Sequence, residues 1–217
     1  MIKAEVSGNQ FQEVKRIFAK YILPFATGGF LAIPFFAEQP PPQATGSAEV
    51  GTFGIVGGAT VFADLRKGDT SKVVLEKLKR GKFREISEEK PKGLIRCAVK
   101  LNNFRYDLVC RFENDRLKLC VLEGRKGWQF SFYEDILEPQ WANLRRSLVK
   151  KYGSKRSTRP LPKIDEVPMN DPGGVITDTW DLDDRLVVLA VQAFEIKDCC
   201  TNHLIEYTTC LVLVQPK

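Results

Sequence analysis

The 217-residue sequence contains a single histidine, His203. Sites that need several imidazoles, such as a three-histidine zinc site or an HExxH motif, are therefore excluded. No CxxC pair is present, although a thioredoxin-like redox centre requires one. The glycines of GTFGIVGG, residues 51–58, match neither GxGxxG nor the Walker A spacing, so no phosphate loop is predicted. These absences predict a chain with no cofactor, no metal and no evident small-molecule substrate.

The overall composition is that of a folded protein. Hydrophobic residues make up 43% of the chain and charged residues 28%, which is typical of a globular domain. The length suits one domain with an appendage. A formal net charge of +6 is compatible with an anionic partner such as nucleic acid or lipid headgroups.

The N-terminal region contains an uncharged run, YILPFATGGFLAIPFFA, at residues 21–37. A basic flank precedes the run and a proline-rich polar stretch follows it, which is the layout of a signal peptide or a signal anchor. The run is short for a membrane span of about 20 residues and contains Pro24 and Pro34, so a signal peptide is favoured. The alternative is an amphipathic helix at residues 11–21 that docks onto the core together with an apolar loop.

This layout predicts three regions. Residues 1–37 are interpreted as a signal peptide or membrane anchor, residues 38–50 as a proline-rich linker, and residues 51–217 as a single domain. The predicted location is exported, periplasmic or membrane-anchored, with a cytoplasmic alternative.

Hydrophobic periodicity and turn residues predict an alternation of strand runs and helices. A helix is predicted at residues 72–80, with N-cap residues at 69–71 and Gly81 as the C-cap. A second is predicted within residues 133–152, with Trp141, Leu144 and Leu148 facing the core. Strands are predicted at residues 52–56, 94–101, 104–112, 117–122, 175–181, 185–194 and 204–214. In the strand at 104–112, Leu108, Cys110 and Phe112 share one face and Val109 and Arg111 the other. Strand runs joined by hairpins predict an α+β fold with a largely antiparallel sheet and two main helices packed on one face.

The chain contains the hairpin FENDRLKL, a helix ending in KYG at Gly153, a strand carrying Trp180 and a later strand carrying Tyr207. In these features and their order it resembles uncharacterised small exported bacterial α+β domains. The resemblance implies export and a similar fold. Because such proteins have no assigned activity, it assigns no catalytic residue.

Six cysteines lie at positions 97, 110, 120, 199, 200 and 210. In an exported chain an even number of cysteines suggests disulfides; the candidates are Cys110, Cys120, Cys199, Cys200 and Cys210. In a cytosolic chain the alternative is buried thiols that act as small hydrophobic residues. The stretch KDCCTNH, with Cys199, Cys200 and His203, lacks the ligand count for zinc and the context of a Cys-His nucleophile, so a turn is favoured.

A basic stretch covers residues 145–163 and contains no acidic residue before Asp165. Such a stretch could bind a phosphate backbone or an anionic membrane, although cations at a helix C-terminus also favour the helix dipole. The candidate residues for an anionic partner are Arg145, Arg146, Lys150, Lys151, Lys155, Arg156 and Arg159. A solvated surface is the favoured interpretation.

The sequence thus predicts a non-enzymatic, exported or membrane-tethered binding domain whose partner is another protein of the envelope or cell surface. Strand addition at a sheet edge is one route to such binding. An intracellular nucleic-acid-binding protein that uses residues 145–163 is the alternative. A thiol enzyme that uses Cys199, Cys200 and His203 is a third hypothesis.

Overall fold

The computed structural model describes residues 65–101, 104–127, 130–153, 157–171, 173–197 and 203–216. The predicted signal peptide or anchor, the linker and the strand at residues 52–56 lie outside these ranges. None of the helices within the described ranges is long and apolar enough to span a membrane.

Two main helices, two 3-10 turns (Lys90–Lys92 and Ile164–Glu166) and eight strands follow one another along the described chain. Helix α1 is Ser71–Arg80, and α2 (residues 130–152) combines the segments Phe130–Phe132, Tyr133–Leu137 and Glu138–Tyr152. The strands are β1 (Arg84–Glu89), β2 (Leu94–Leu101), β3 (Phe104–Glu113), β4 (Arg116–Glu123), β5 (Ser157–Thr158), β6 (Val175–Asp181), β7 (Arg185–Lys197) and β8 (Leu204–Pro216).

Local sequence explains where each helix begins and ends. The Thr70 hydroxyl accepts a hydrogen bond from the Val73 N–H at 3.4 Å, and the Gly81 N–H closes α1 on Lys77, as the N-cap and C-cap pattern predicts. The middle of α2 is π-helical up to Leu137. Pro139 follows it, and a proline ring conflicts with the carbonyl four residues earlier, which favours the wider turn.

All eight strands belong to one antiparallel sheet with the order β1-β2-β3-β4-β8-β7-β6-β5. Each half of this order is a run of sequential neighbours, and each half follows one helix along the chain. The halves meet where Cys120–Glu123 of β4 pairs with Leu211–Val214 of β8. The sheet therefore consists of two four-stranded meanders joined at their C-terminal strands.

Alternate residues of the strands point to opposite faces and build two hydrophobic clusters. The first cluster includes Leu108 and Cys110 of β3 together with Val74 of α1 and Leu144 of α2. The second contains only strand residues, among them Val109 of β3. The alternation predicted for β3 is therefore confirmed.

The predicted α+β class, in which two main helices accompany the sheet, is wrong, because the described chain is mostly one antiparallel sheet. Strands dominate the described chain: the sheet has eight of them, and β7 and β8 are 13 residues long each. The charged edge strand β1 and the two-residue β5 were not predicted, because hydrophobic periodicity is a weak signal in polar or very short strands. The strands predicted at 117–122, 185–194 and 204–214 were also shorter than the observed β4, β7 and β8, so the share of sheet was underestimated.

Candidate functional site

The two longest strands extend past their neighbours and form a hairpin arm, defined here as residues 194–197 of β7 and 204–207 of β8. The last pair between β7 and β6 is Val191 with Val175, and the last between β8 and β4 is Leu211 with Glu123. Within the arm, β7 and β8 remain paired out to Lys197 and Leu204. The predicted turn at KDCCTNH thus connects the two strands of this arm, and Cys199 and Cys200 lie outside the described residues.

One edge of the arm is occupied by a loop. The Asn170 N–H donates to the Ala193 carbonyl at 2.9 Å, and the Asn170 side-chain oxygen accepts from the Glu195 N–H at 3.1 Å. Asn170 thus takes the place of a neighbouring strand and forms hydrogen bonds with backbone groups on the outer side of β7.

The opposite edge, along β8, is paired only as far as Thr208. Its N–H donates to the Gly127 carbonyl at 2.8 Å, and its carbonyl accepts from the Gly127 N–H at 3.2 Å. Because alternate residues of an antiparallel strand direct their backbone groups to the same side, the groups of Glu206 and Leu204 also face away from β7. Among the described residues, no backbone group pairs with this edge beyond Gly127.

The two faces of the arm differ in character. Phe194 stacks on Tyr207 with ring centroids 6.2 Å apart, and Ile196 lies opposite Ile205 on the same face. The Lys126 ammonium lies 5.5 Å from the Phe194 ring centroid, a cation–π contact.

On the other face, Glu195 lies directly opposite Glu206, and Leu204 is 62% exposed. Like charges directly opposite one another destabilise a strand pair. This face would therefore be stabilised by a partner that brings a positive charge beside Glu206.

The outer edges of the sheet are far less open to another strand. Strand β1 (REISEE) is charged, has a register irregularity between Arg84 and Ser87, and has a positive φ of 54° at Glu85. Strand β5 is only two residues long. Charge, irregularity and shortness are devices that prevent edge-to-edge association, whereas the β8 edge of the arm combines exposed Leu204 with a single acidic residue.

The described members of the basic stretch lie in different environments. Arg146, Lys150 and Arg159 are exposed, whereas Arg145 is partly buried. Lys155 and Arg156 lie outside the described residues. Sequence spacing could not distinguish these environments because all the positions carry the same charge.

Arg145 serves an internal contact. Its Nε lies 3.2 Å from both carboxylate oxygens of fully buried Asp178 on β6, and its guanidinium carbon lies 4.9 Å from the Trp141 ring centroid. The Trp141 indole N–H donates to Thr177 at 3.0 Å. This network ties α2 to β6, so Arg145 is committed to the fold rather than to a ligand.

Lys151 has a different environment at the end of α2. Burial, and secondarily the positive charge of Arg185, lower its pKa from 10.5 to about 8. The ammonium lies 5.2 Å from the Tyr152 ring centroid. Because two cations are held near each other here, an anion beside them would raise the pKa of Lys151.

Four cysteines lie in the first cluster as thiols: Cys97, Cys110, Cys120 and Cys210. Cys110 and Cys120 are direct partners across the β3–β4 hairpin, with sulfurs 3.7 Å apart. The hydrogen bond to Cys120 and burial raise the pKa of Cys110, and burial raises the pKa of Cys210 to about 12. Buried thiols with raised pKa are poor nucleophiles.

His203, the remaining described member of the proposed thiol site, is exposed at the start of β8. The described residues contain no group of three or more His, Cys, Asp or Glu side chains that could hold a metal ion.

No protein-family model, curated protein or solved structure matches this chain. Function is therefore inferred from the chemistry of the described surfaces. The arm was not recognised in the sequence, although the long alternation of β7 and β8 around a polar turn is a signal that could have indicated it.

Proposed function

We propose that this chain is a non-enzymatic binding domain that recognises another protein by adding one of its strands to the free edge of the hairpin arm. The observation that carries the proposal is the outward side of β8 at Leu204 and Glu206, with which no backbone group of the described residues pairs. Backbone hydrogen bonds would supply affinity, and side chains of alternate residues would supply specificity.

The chemistry of the arm indicates the kind of strand that would bind. Exposed Leu204 offers an apolar contact at the tip. The Glu195–Glu206 pair favours a partner with lysine or arginine at the position beside Glu206, since an opposite charge relieves the repulsion. The expected partner segment is extended, mainly apolar and basic at one inward position.

A proline at the free edge tests this mode of binding. Glu206→Pro removes the outward-facing N–H, and proline is tolerated where the missing donor faces solvent. Full-length wild type and variant are used as bait in extracts of the native host, with chemical crosslinking and mass spectrometry. We expect the amount of partner protein crosslinked at the arm to be at least tenfold lower for the variant than for the wild type.

Glu206→Ala is the matched control, because it removes the same carboxylate and keeps the N–H. Circular dichroism and thermal unfolding verify that both variants remain folded. Equal loss in both variants would indicate recognition of the carboxylate and contradict strand addition. The absence of any protein crosslinked to the arm of the wild type would contradict the proposal as well.

A second candidate function is binding of nucleic acid or anionic lipid at the end of α2. The observation that favours it is a group of cations at the end of α2. Burial, and secondarily the charge of Arg185, lower the pKa of Lys151 to about 8, and Arg146 and Lys150 on the same helix are exposed. Binding to a labelled oligonucleotide, or to vesicles containing phosphatidylserine, should fall steeply with added salt. It should also weaken in Lys150→Gln/Lys151→Gln, whereas affinity equal to that of wild type would exclude this surface.

The proposed location remains exported or membrane-tethered, and it is supported by the layout of residues 1–37. Mass spectrometry of the protein isolated from its native host tests it. A mature N-terminus downstream of Ala37, or fractionation with membranes, is the expected result. An intact N-terminus on a protein found in the soluble fraction would contradict it.

A further inference from the structure

The face of the sheet that lies away from the helices carries a second buried cluster. Nine residues of six neighbouring strands form it, and none is more than 7% exposed: Leu94, Val109, Leu119, Val121, Ile176, Val188, Ala190, Leu211 and Leu213. They make a stripe across β2, β3, β4, β8, β7 and β6. Five spacings of about 4.8 Å between strands give this stripe a length of about 24 Å.

Such burial requires a second layer. A single sheet leaves the side chains of its outer face open to water unless another element covers them. Among the described residues, every hydrophobic side chain assigned to this cluster or packed against it belongs to a strand. The buried apolar residues of α1 and α2, including Val74 and Leu144, belong to the first cluster instead.

The lengths of the undescribed stretches limit which segment of the chain can cover the second cluster. Apart from residues 1–64, each undescribed stretch has five residues or fewer. Five extended residues reach about 17 Å at most, and such a stretch is tied to its flanking elements. Only residues 1–64 are long enough to cover the stripe.

We propose that residues 50–63 form this covering layer. They are uncharged throughout and contain Phe53, Ile55, Val56, Val61 and Phe62. Fourteen extended residues span about 46 Å, which exceeds the length of the stripe. Apolar side chains at these positions can bury themselves against it.

The point at which the described chain begins supports this segment over residues 21–37. Leu65 is buried, and the Gly68 N–H donates to the Leu117 carbonyl at 3.2 Å while the Leu117 N–H donates to Asp69 at 2.8 Å. These bonds fix the chain at the start of β4, two residues from Leu119 of the cluster. Leu65 itself packs in the first cluster, so residues 50–63 would pass around the end of β4 to reach the stripe. They adjoin this anchor directly, whereas residues 21–37 do not.

Site-specific photocrosslinking in the full-length protein tests the proposal. The probe p-benzoylphenylalanine replaces Phe53 or Phe62 in separate variants, and Gln43 in the proline-rich stretch as the control. Peptide mapping should show crosslinks within one chain to β3, β4, β7 or β8, at residues of the second cluster. The expected yield is at least tenfold above that of the Gln43 variant.

Three results would overturn the proposal. The first is a crosslink between copies, detected by mixing isotope-labelled and unlabelled chains, which would make a second copy the cover. The second is a cluster crosslink from a probe at Phe30, within residues 21–37, but from neither Phe53 nor Phe62. The third is a yield at Phe53 and Phe62 no higher than at Gln43, or crosslinks to α1 or α2 only. None of these results depends on strand addition at the arm.

Discussion

At the scale of single residues, equal charges have unequal roles. Arg145 and Arg146 are neighbours in sequence, but Arg145 pairs with fully buried Asp178 while Arg146 faces solvent. A charge pattern read along the chain combines both into one basic stretch. The pairing depends on which strand lies beneath α2, and that strand lies more than 30 residues further along the chain.

Arg145→Met should destabilise the protein markedly. The substitution keeps much of the side-chain volume but leaves the Asp178 carboxylate without its cation. Removing one partner of a buried ion pair costs roughly 3–5 kcal/mol, and we expect about 3 kcal/mol because Arg145 is partly exposed. Urea unfolding measures this loss of free energy of unfolding. Arg146→Met is the matched control, and its loss should be less than about 0.5 kcal/mol. Equal effects of the two substitutions would show that the ion pair contributes nothing specific.

Lys151 should give the stability a distinctive pH dependence. Its folded-state pKa of about 8 lies below its ordinary value of 10.5, so the unfolded chain binds more protons between these values. The contribution of Lys151 to the free energy of unfolding therefore increases as the pH rises from about 8 to 10.5. Relative to Lys151→Met, the wild type should gain stability over this range in urea titrations.

Lys150→Met, at the exposed neighbouring position, is the matched control for this pH series. Comparing each variant with the wild type cancels the titration of the other groups. A Lys151→Met difference that stays constant from pH 7 to pH 10.5 would contradict the lowered pKa.

At the scale of elements, the described part of the sheet has protected edges and one edge, on the β8 side of the arm, that no described strand covers. Strand β1 is charged and irregular, β5 is very short, and the β7 side of the arm is capped by Asn170. The contrast with the β8 side is the physical basis for placing partner binding there. Periodicity locates β8 but does not reveal which of its edges remains unpaired.

The entry into β6 depends on a glycine. Gly174 has a φ of +52°, and a Cβ at this position would lie 2.3 Å from the Val191 carbonyl oxygen. Gly174→Ala combines backbone strain with a clash against β7, so we expect a loss of about 3 kcal/mol in urea unfolding. Gly68→Ala is the control, since its φ is +79° but nothing lies within 4 Å; about 1 kcal/mol is expected there. Equal costs would remove the clash as an explanation.

At the scale of the whole molecule, the two four-stranded halves are joined by the β4–β8 pairing and by hydrophobic clusters that cross it. Leu211 and Leu213 of β8 pair with Glu123 and Val121 of β4 at this seam. Both leucines belong to the second cluster, which extends into both halves. We therefore expect the halves to unfold as one cooperative unit.

Leu213→Ala tests this cooperativity. Truncation of a fully buried leucine costs about 2–5 kcal/mol, and the loss should lower hydrogen-exchange protection in β2 and β3 as well as in β6 and β7. Leu186→Ala, at a partly buried position beside the same cluster, should have a smaller effect. Loss of protection confined to one half would show that the halves are independent.

Much of the local structure followed from sequence, whereas the sites did not. The caps of α1, the core face of α2 and the positions of β2, β3 and β6 were predictable because they depend on neighbours within a few residues. The fold class was wrong because polar β1 and short β5 carry little periodic signal. The arm was missed because its exposure depends on where β4 and β6 stop.

The sequence by itself determined where the chain turns, which residues alternate between faces and which helix ends are capped. Local propensity and periodicity are sufficient for those features. Only the tertiary structure decided that β4 pairs with β8, that Arg145 pairs with Asp178 and that, within the described chain, the β8 edge of the arm lacks a neighbouring strand. Each of these depends on contacts between residues far apart in sequence, and many pairings of similar strands would satisfy the same local pattern.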